Sequence, residues 1–280
     1  MHVLIAGGSG VLGAAVIPLL TAAGHRVTAT TRSASKTQHL ALIGAEPIIL
    51  NAFDREGVRA SVEGTRPDAI VSLLTDLNSG DSVSNARLRS SGTRHLADAA
   101  LRVGIRRFVA ESISWVYPSG HTPAAEADPV DPDTAEPRRT TISAVRDLEG
   151  AVGELDEAVV LRFGQLYGPG TWYSRDGRFG QQALANELHA TETVASFIHT
   201  SDAARALLLG LEWTSGTWNI VDDEPAAGTA WAPHFAHSVG AQAPTASVAG
   251  NIGRPVSNAR AHREGLVLQF PSWREGFLTP

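Results

Sequence analysis

The sequence predicts an α/β fold built on a doubly wound parallel sheet, and three observations carry that expectation. At 280 residues and 43% hydrophobic content, the chain can bury a full core. Apolar runs of strand length alternate with helix-length periodic segments through its first two thirds, the pattern of βαβ units. The first run ends in a glycine-rich turn that opens a helix.

In chain order, strands are expected at His2–Ala6, Arg26–Thr31, Glu46–Leu50, Ala69–Leu74, Arg107–Glu111 and Ala158–Phe163. A helix starts near Val11 and another follows the second strand. Pro18 lies well inside the first helix, where it removes a hydrogen bond and should kink it. Two segments break the alternation. Tyr117–Pro137 holds Pro118, Pro123, Pro129, Pro132 and Pro137, too many for a helix, and reads as a long loop leaving the fifth strand. Tyr167–Gly180 is glycine-rich and aromatic, a second irregular segment. Loops of this length inside a domain are often binding loops. Beyond Ser196 a helix near Asp202–Leu211 and a strand at Thr217–Val221 precede a C-terminal tail. In such a sheet the ligand crevice lies beyond the carboxyl ends of the strands.

Composition narrows the partner. The formal net charge of −6 and the lack of a long basic run argue against nucleic acid and membrane surfaces, and a small molecule is expected instead. MHVLIAGGSG enters an apolar run without a basic leader, and no stretch approaches the roughly 18 apolar residues that span a bilayer, so a cytoplasmic protein is expected. The absence of cysteine excludes disulfides, thiolate metal sites and cysteine nucleophiles. Lys36 is the only lysine. No metal site is expected, because the histidines, His234 and His237 included, lack a third ligand at metal spacing. The sequence leaves the oligomeric state open.

VLIAGGSGVLGAAVIPLL, from Val3 to Leu20, joins strand, glycine turn and helix with glycines at Gly7, Gly10 and Gly13. The first permits the sharp turn, the second admits a pyrophosphate, and the third lets helix and strand pack closely. Free amides of the turn and of the first helical residues then face the phosphates, which makes Gly7, Ser9, Gly10, Val11, Leu12 and Gly13 cofactor-binding candidates. This is a Rossmann-type dinucleotide unit. The second strand ends in Thr30–Thr31–Arg32–Ser33 without the acid that holds the ribose 2′-hydroxyl of NAD. Arg32, helped by Ser33 and Lys36, suits a 2′-phosphate, so NADPH is expected ahead of NADH. Asp54 follows the third strand, where such folds contact adenine, and reads equally well as a helix cap. Leu73 and Leu74, at the end of the fourth strand, complete the candidates on this side.

Several ordered motifs resemble the extended short-chain dehydrogenases/reductases, the group of nucleotide-sugar epimerases and dehydratases. The glycine turn is similar to their GxxGxxG, and SGTRHLADAALRVGIRRFVAESISWVY from Ser91 to their fourth helix and fifth strand. VVLRFGQLYGPG from Val159 resembles their LRxxNxYGPG, SFIHTSDAARAL from Ser196 their fIHvxDvAxA, TWNIVDDEP from Thr217 their yNivdd, and PSWREGF their closing helix. The resemblance implies residues 1–165 with 191–222 as the NADP-binding domain, and 166–190 with 223–280 as a small C-terminal substrate-binding subdomain. It places Phe163, Gly164 and Gln165 on the nicotinamide wall, and it implies a structural role for His199.

The same resemblance exposes a loss. The family's chemistry uses a tyrosine and lysine spaced YxxxK, a serine or threonine on the fifth strand and an asparagine on the fourth helix. Aligned through Glu149 and Tyr117, those positions hold Thr141, Val145, Ile113 and Arg89. A threonine hydroxyl titrates far above neutrality and cannot replace the tyrosine unaided. Hydride transfer needs proximity and orientation more than a side-chain acid. The expected function is therefore an NADPH-dependent ketoreductase acting on a carbonyl of a polycyclic aromatic polyketide in antibiotic biosynthesis, assisted by the substrate's own hydroxyl. Atypical reductases of the simocyclinone-type angucyclinone group resemble it in having lost the tetrad. Thr141, Ser112 and Ser114 are the candidate proton-relay hydroxyls, and Trp115, Tyr117, Trp172, Tyr173 and Phe179 the candidate contacts of a flat ketone substrate. Two other classes share the glycine turn: a non-catalytic NADP sensor or scaffold, and a non-redox cyclase or lyase.

Overall fold

Residues 1–76, 82–132, 135–247 and 253–279 are described by the computed structural model. Parts of the proline-rich loop and of the C-terminal region, at 133–134, 248–252 and 280, lie outside the described residues. The strands are β1 His2–Ala6, β2 Arg26–Thr31, β3 Glu46–Ile49, β4 Ala69–Ser72, β5 Arg107–Ile113, β6 Glu157–Phe163, β7 Gln165–Tyr167, β8 His189–Ala190, β9 Val194–Ala195, β10 Phe197–His199, β11 Gly216–Ile220, β12 Ala226–Ala227 and β13 Thr245–Ala246. The helices are α1 Val11–Ala22, α2 Thr37–Leu42, α3 Arg55–Thr65, α4 Ser82–Arg87, α5 Thr93–Val103, α6 Arg138–Val152, α7 Arg178–Leu184, α8 Thr200–Gly210, α9 Gly228–Ser238, α10 Ala259–Arg263 and α11 Trp273–Gly276. A π-helical turn, Leu88–Gly92, joins α4 to α5.

The main sheet has seven strands in the order β11-β6-β5-β4-β1-β2-β3. β1 pairs in parallel with β2 on one side and β4 on the other. The chain therefore reverses direction across the sheet beside β1, the switch point where such folds open their ligand crevice. β2–β3 and β4–β5 are parallel as well.

The chain divides into two compact units, the first comprising Met1–Ser112, Asp133–Leu161 and Ala204–Thr217, the second Ile113–Pro132, Arg162–Ala203 and Trp218–Pro280. These are bodies defined by contact, whereas the motif-based division is one of roles. The two cut differently at 113–132, 162–165, 191–203 and 218–222.

The core of the first unit follows the strand period. Leu4, Ile70, Phe108 and Ala110 of the sheet pack with Val58 and Val62 of α3, Leu96, Ala97 and Ala100 of α5, and Leu148, Ala151 and Val152 of α6. The opposite face of β5 and β6 meets α8, where a side chain at Gly210 would touch Val109, Val159 and Leu161. With helices on both faces the strands read as continuous apolar runs, which is why the sequence reveals them.

Three local expectations need correction. α1 runs unbroken through Pro18. The proline lies on the exposed side, so the carbonyl of Ala14 that it leaves without an amide partner stays within reach of water. The second irregular segment ends at Gly177, since α7 begins at Arg178. β4 stops at Ser72, leaving Leu73 and Leu74 beyond the strand as part of the crevice end.

The second unit is held by aromatic rings. Tyr167, Tyr173, Phe197, Trp231, Phe235 and Trp273 form its core. Tyr173 alone makes edge-on contacts with Phe197, Trp231 and Phe235. Each such ring pair adds about 0.5–1.5 kcal/mol beyond the burial of its area.

Candidate functional site

The turn after β1 is shaped by what it cannot accommodate. Gly7 has φ +87, and a Cβ there would lie 2.4 Å from the carbonyl oxygen of Leu73. Its amide donates to Thr30 Oγ1 at 3.2 Å, and Leu73 N–H donates to Ala6 at 2.8 Å. A Cβ on Gly13 would lie 2.2 Å from the carbonyl oxygen of Gly8, so α1 and the turn meet backbone to backbone. At Gly10, by contrast, only the oxygen of Gly7 lies near, at 3.3 Å.

Gly10 caps α1 without a side-chain hydrogen bond, and the first turn carries no acid. The amides of Val11, Leu12 and Gly13 therefore keep the free donors that every helix start presents. An uncapped helix start without acidic residues, open space at Gly10 and a tight turn beside the switch point fit a dinucleotide pyrophosphate. The turn continues through Ser9, whose hydroxyl donates to Thr31 Oγ1 at 2.9 Å.

At the end of β2, Arg32 is largely exposed and faces Asp76 at 3.5 Å. Ser33 Oγ lies 2.8 Å from Ser35 Oγ, and Lys36 is exposed in the short 3-10 turn that follows. Asp54 caps α3, accepting from the amide of Gly57 at 3.0 Å, so one of its two expected roles is filled by the fold itself.

On β5 and α6 the sequence-aligned positions carry little acid–base capacity. Val145 is wholly buried and Thr141 half-buried on α6. Ser112 is buried, and its hydroxyl donates to Glu149 of α6 at 2.8 Å. Two charged residues stand out here: Arg89, at the aligned helix-four asparagine position, and Glu111, which the sequence reading did not single out. Arg89, in the π-helical turn, is 4% exposed. Glu111, near the carboxyl end of β5, is enclosed by protein atoms yet keeps part of its surface open. Burial pushes the Glu111 carboxyl up to about 7 against the opposing pull of Arg89. Burial likewise lowers the Arg89 pKa, with Glu111 opposing. The signal available in the sequence was a lone acid inside the apolar run RFVAESI.

In the second unit, Phe163 is buried at the end of β6 and the Gly164 amide donates to Ile220 at 2.9 Å. A Cβ on Gly164 would lie 2.7 Å from the carbonyl oxygen of Ser196, which accounts for glycine there. Gln165 pairs with Phe197 in the β7–β10 ladder. Tyr117 is buried, its hydroxyl donating to Asn219 at 2.8 Å and accepting from Arg162 at 2.8 Å. Ser114 is buried and Trp115 is 39% exposed. Trp172 and Phe179 are half-buried against the aromatic core, and Tyr173 lies within it. Of the five aromatic candidates, Trp115 thus offers the most open surface.

His199 Nδ1 lies 2.7 Å from Ser201 Oγ, its ring packs at a tilt against Phe270, and burial lowers its pKa. Among the described residues no group of three or more His, Cys, Asp and Glu could hold a metal ion. No helix among them is long and apolar enough to cross a membrane.

Comparison with known proteins agrees with this arrangement. The model of the NAD dependent epimerase/dehydratase family matches residues 3–220. The chain is 36% identical to a Streptomyces protein described as 3-diazoavenalumate denitrifying reductase, with 99% of each chain covered. Among solved structures, UDP-glucose 4-epimerase of Thermotoga maritima with UDP-glucose superposes with a TM-score of 0.82 at 20% identity, covering 99% of this chain and 96% of that one. The Thermus thermophilus UDP-glucose 4-epimerase complex with NAD gives 0.79 at 20% identity, covering 99% and 97%. With its glycine turn, its seven-stranded sheet and a family match over most of its length, the chain belongs to the NAD dependent epimerase/dehydratase family, the extended short-chain dehydrogenases/reductases, as an NAD(P)-dependent enzyme of the oxidoreductase type.

Proposed function

We propose that this enzyme is an NADPH-dependent reductase that replaces an aromatic diazonium group by hydrogen, releasing dinitrogen. The observation that carries the reading is the pair Thr141 and Val145 on α6, where the family keeps its proton donor and the lysine that tunes it. A ketone needs a proton on oxygen as hydride reaches carbon. A diazonium ion is already cationic and leaves as neutral dinitrogen, so it needs hydride and no acid.

A dinucleotide, when bound, would supply that hydride. In the net reaction the C4–H bond of nicotinamide and the aryl C–N bond break, and an aryl C–H bond forms. Dinitrogen departs and NADPH becomes NADP+, so charge and atoms balance. The protein's part is to bind and orient. The amides at Gly10 to Gly13 would hold the pyrophosphate and Arg32 with Ser33 and Lys36 the 2′-phosphate, with Leu73 and Leu74 beside the coenzyme. Residues 1–165 with 191–222 serve the cofactor in this reading, and 166–190 with 223–280 serve the substrate. The Streptomyces relative, whose described substrate is a diazo compound, supports this choice of acceptor.

A second reading keeps the hydride and changes the acceptor to a hydroxyl-assisted ketone of an aromatic polyketide. Ser112, already hydrogen-bonded to Glu149, favours it as the start of a proton relay. One experiment separates the two. Purified enzyme is incubated with NADPH and either an aryl diazonium salt or a peri-hydroxy quinone, with enzyme-free controls, and cofactor absorbance, gas release and product mass are followed. NADPH loss matched by dinitrogen and the des-diazo arene is expected. Cofactor loss with the quinone alone transfers the proposal to the ketone, and an unchanged cofactor with both sinks either reductase and leaves a binding or non-redox role.

A further inference from the structure

We infer that Arg89 is an anion-binding residue that holds the carboxylate of an aromatic acid substrate. The inference rests on the reductase reading for the aromatic body of the ligand, and on the structure for the charge. Arg89 is 4% exposed, and among the described residues its guanidinium makes no hydrogen bond and no close ion pair. An arginine stays charged at any physiological pH, and with no acceptor among the described residues its donors are left to what reaches them, water or an anionic ligand. Glu111 is an opposite charge that acts on it through space and makes no hydrogen bond to any described residue. That carboxyl resists ionisation in its enclosed position, so it compensates the guanidinium only in part. The result is a surplus of positive charge at this place.

Its location suits a substrate. The π-helical turn carrying Arg89 interrupts the helix between α4 and α5, a distortion frequent at functional positions. A side chain at Gly92, in the same turn, would touch Leu74 and Ala52, which follow β4 and β3. The turn therefore sits at the carboxyl ends of these strands, the end at which such sheets take ligands. It also packs on α6, the helix of Thr141 and Val145. A planar guanidinium with free donors matches a carboxylate in two parallel hydrogen bonds. The diazo substrate named for the Streptomyces relative is itself written as the salt of an acid, which agrees with an anionic group to be held.

The test uses probes that cannot be reduced as diazonium ions, so it stands apart from the chemistry. The full-length protein saturated with NADP+ is titrated calorimetrically with cinnamate and with cinnamamide. Cinnamate is expected to bind on the order of 30-fold tighter than the amide, the range of a charge-assisted hydrogen-bonded pair. Arg89→Gln should bring cinnamate down to the level of the amide and leave both the amide and NADP+ affinities in place. Arg89→Lys should recover part of the difference. Equal binding of the two probes, binding of neither, a preference that survives Arg89→Gln, or a loss of NADP+ affinity in that variant overturns the inference. Should Arg89→Gln fail to fold, the wild-type preference and its reduction in Arg89→Lys decide. Diazonium reduction without a carboxylate preference sinks this inference alone, whereas carboxylate preference without reduction sinks only the proposed reaction.

Discussion

The turn after β1 and the surface made by β5 and α6 lie in the same unit and have kept different shares of their family's chemistry. The turn retains its glycines because its function is written in backbone: a side chain at Gly13 would occupy the place of the Gly8 carbonyl, whatever the substrate. The β5–α6 surface works through side-chain acidity, which depends on what accepts the hydride. With the proposed acceptor, which needs no proton, Thr141 and Val145 would suffice there. Cofactor binding is thus constrained by space and acid–base catalysis by the substrate, and the two can evolve separately on one sheet.

That contrast can be broken most severely at the turn. Gly13→Val forces a branched side chain into backbone and should cost about 3 kcal/mol or more of stability, abolishing coenzyme binding. Thermal unfolding with and without NADPH reads both effects. A variant that folds and binds normally would show that the close approach of α1 to the turn is dispensable.

A smaller effect is expected at the end of β2. Arg32→Ala should weaken NADPH by about 10- to 100-fold and leave NADH nearly unchanged, because only the former carries the 2′-phosphate. Fluorescence titration with the two coenzymes measures the ratio. Equal losses for both would assign Arg32 to its contact with Asp76 instead.

The smallest effect concerns the β5–α6 side and depends on pH. In the unfolded chain Glu111 takes the ordinary glutamate value of about 4.3. In the folded protein it is pushed up to about 7. Between these values the native state binds more protons than the unfolded one, so this group's contribution to stability falls as pH rises. Glu111→Gln removes that loss. The variant should gain on the order of 1–2 kcal/mol over wild type at pH 8 and little at pH 4, measured by denaturant unfolding at both. Asp222, also raised by burial, to about 8, is common to both proteins and cancels from the difference. A uniform gain at both pH values would mean that packing, not ionisation, separates the two proteins.

Much of the fold was legible because its signals are local. The runs that became β1 and β6 are largely apolar stretches, as strands buried on both faces tend to be, and the glycine spacing defines the turn. The candidate site was legible where it consists of backbone and only partly where it consists of side chains. Asp54 could be read as a cap or as a coenzyme contact, and the hydrogen bond from Gly57 fills the first role. Tyr173 and Tyr117 lie on segments that the sequence marks as irregular, a pattern that does not encode which way a ring turns. The structure packs Tyr173 against Phe197, Trp231 and Phe235, and bonds Tyr117 to Asn219 and Arg162.

The amino-acid order alone determined the class of sheet, the dinucleotide turn and the loss of the tyrosine and lysine, since each rests on residue type at fixed spacing. Tertiary structure decided that Arg89 and Glu111, distant in sequence, share one enclosed place. The reason is dielectric. A charge on a helix or a strand reads as an ordinary solvated residue until packing removes the water around it, and only then does its need for a partner become a property of the site.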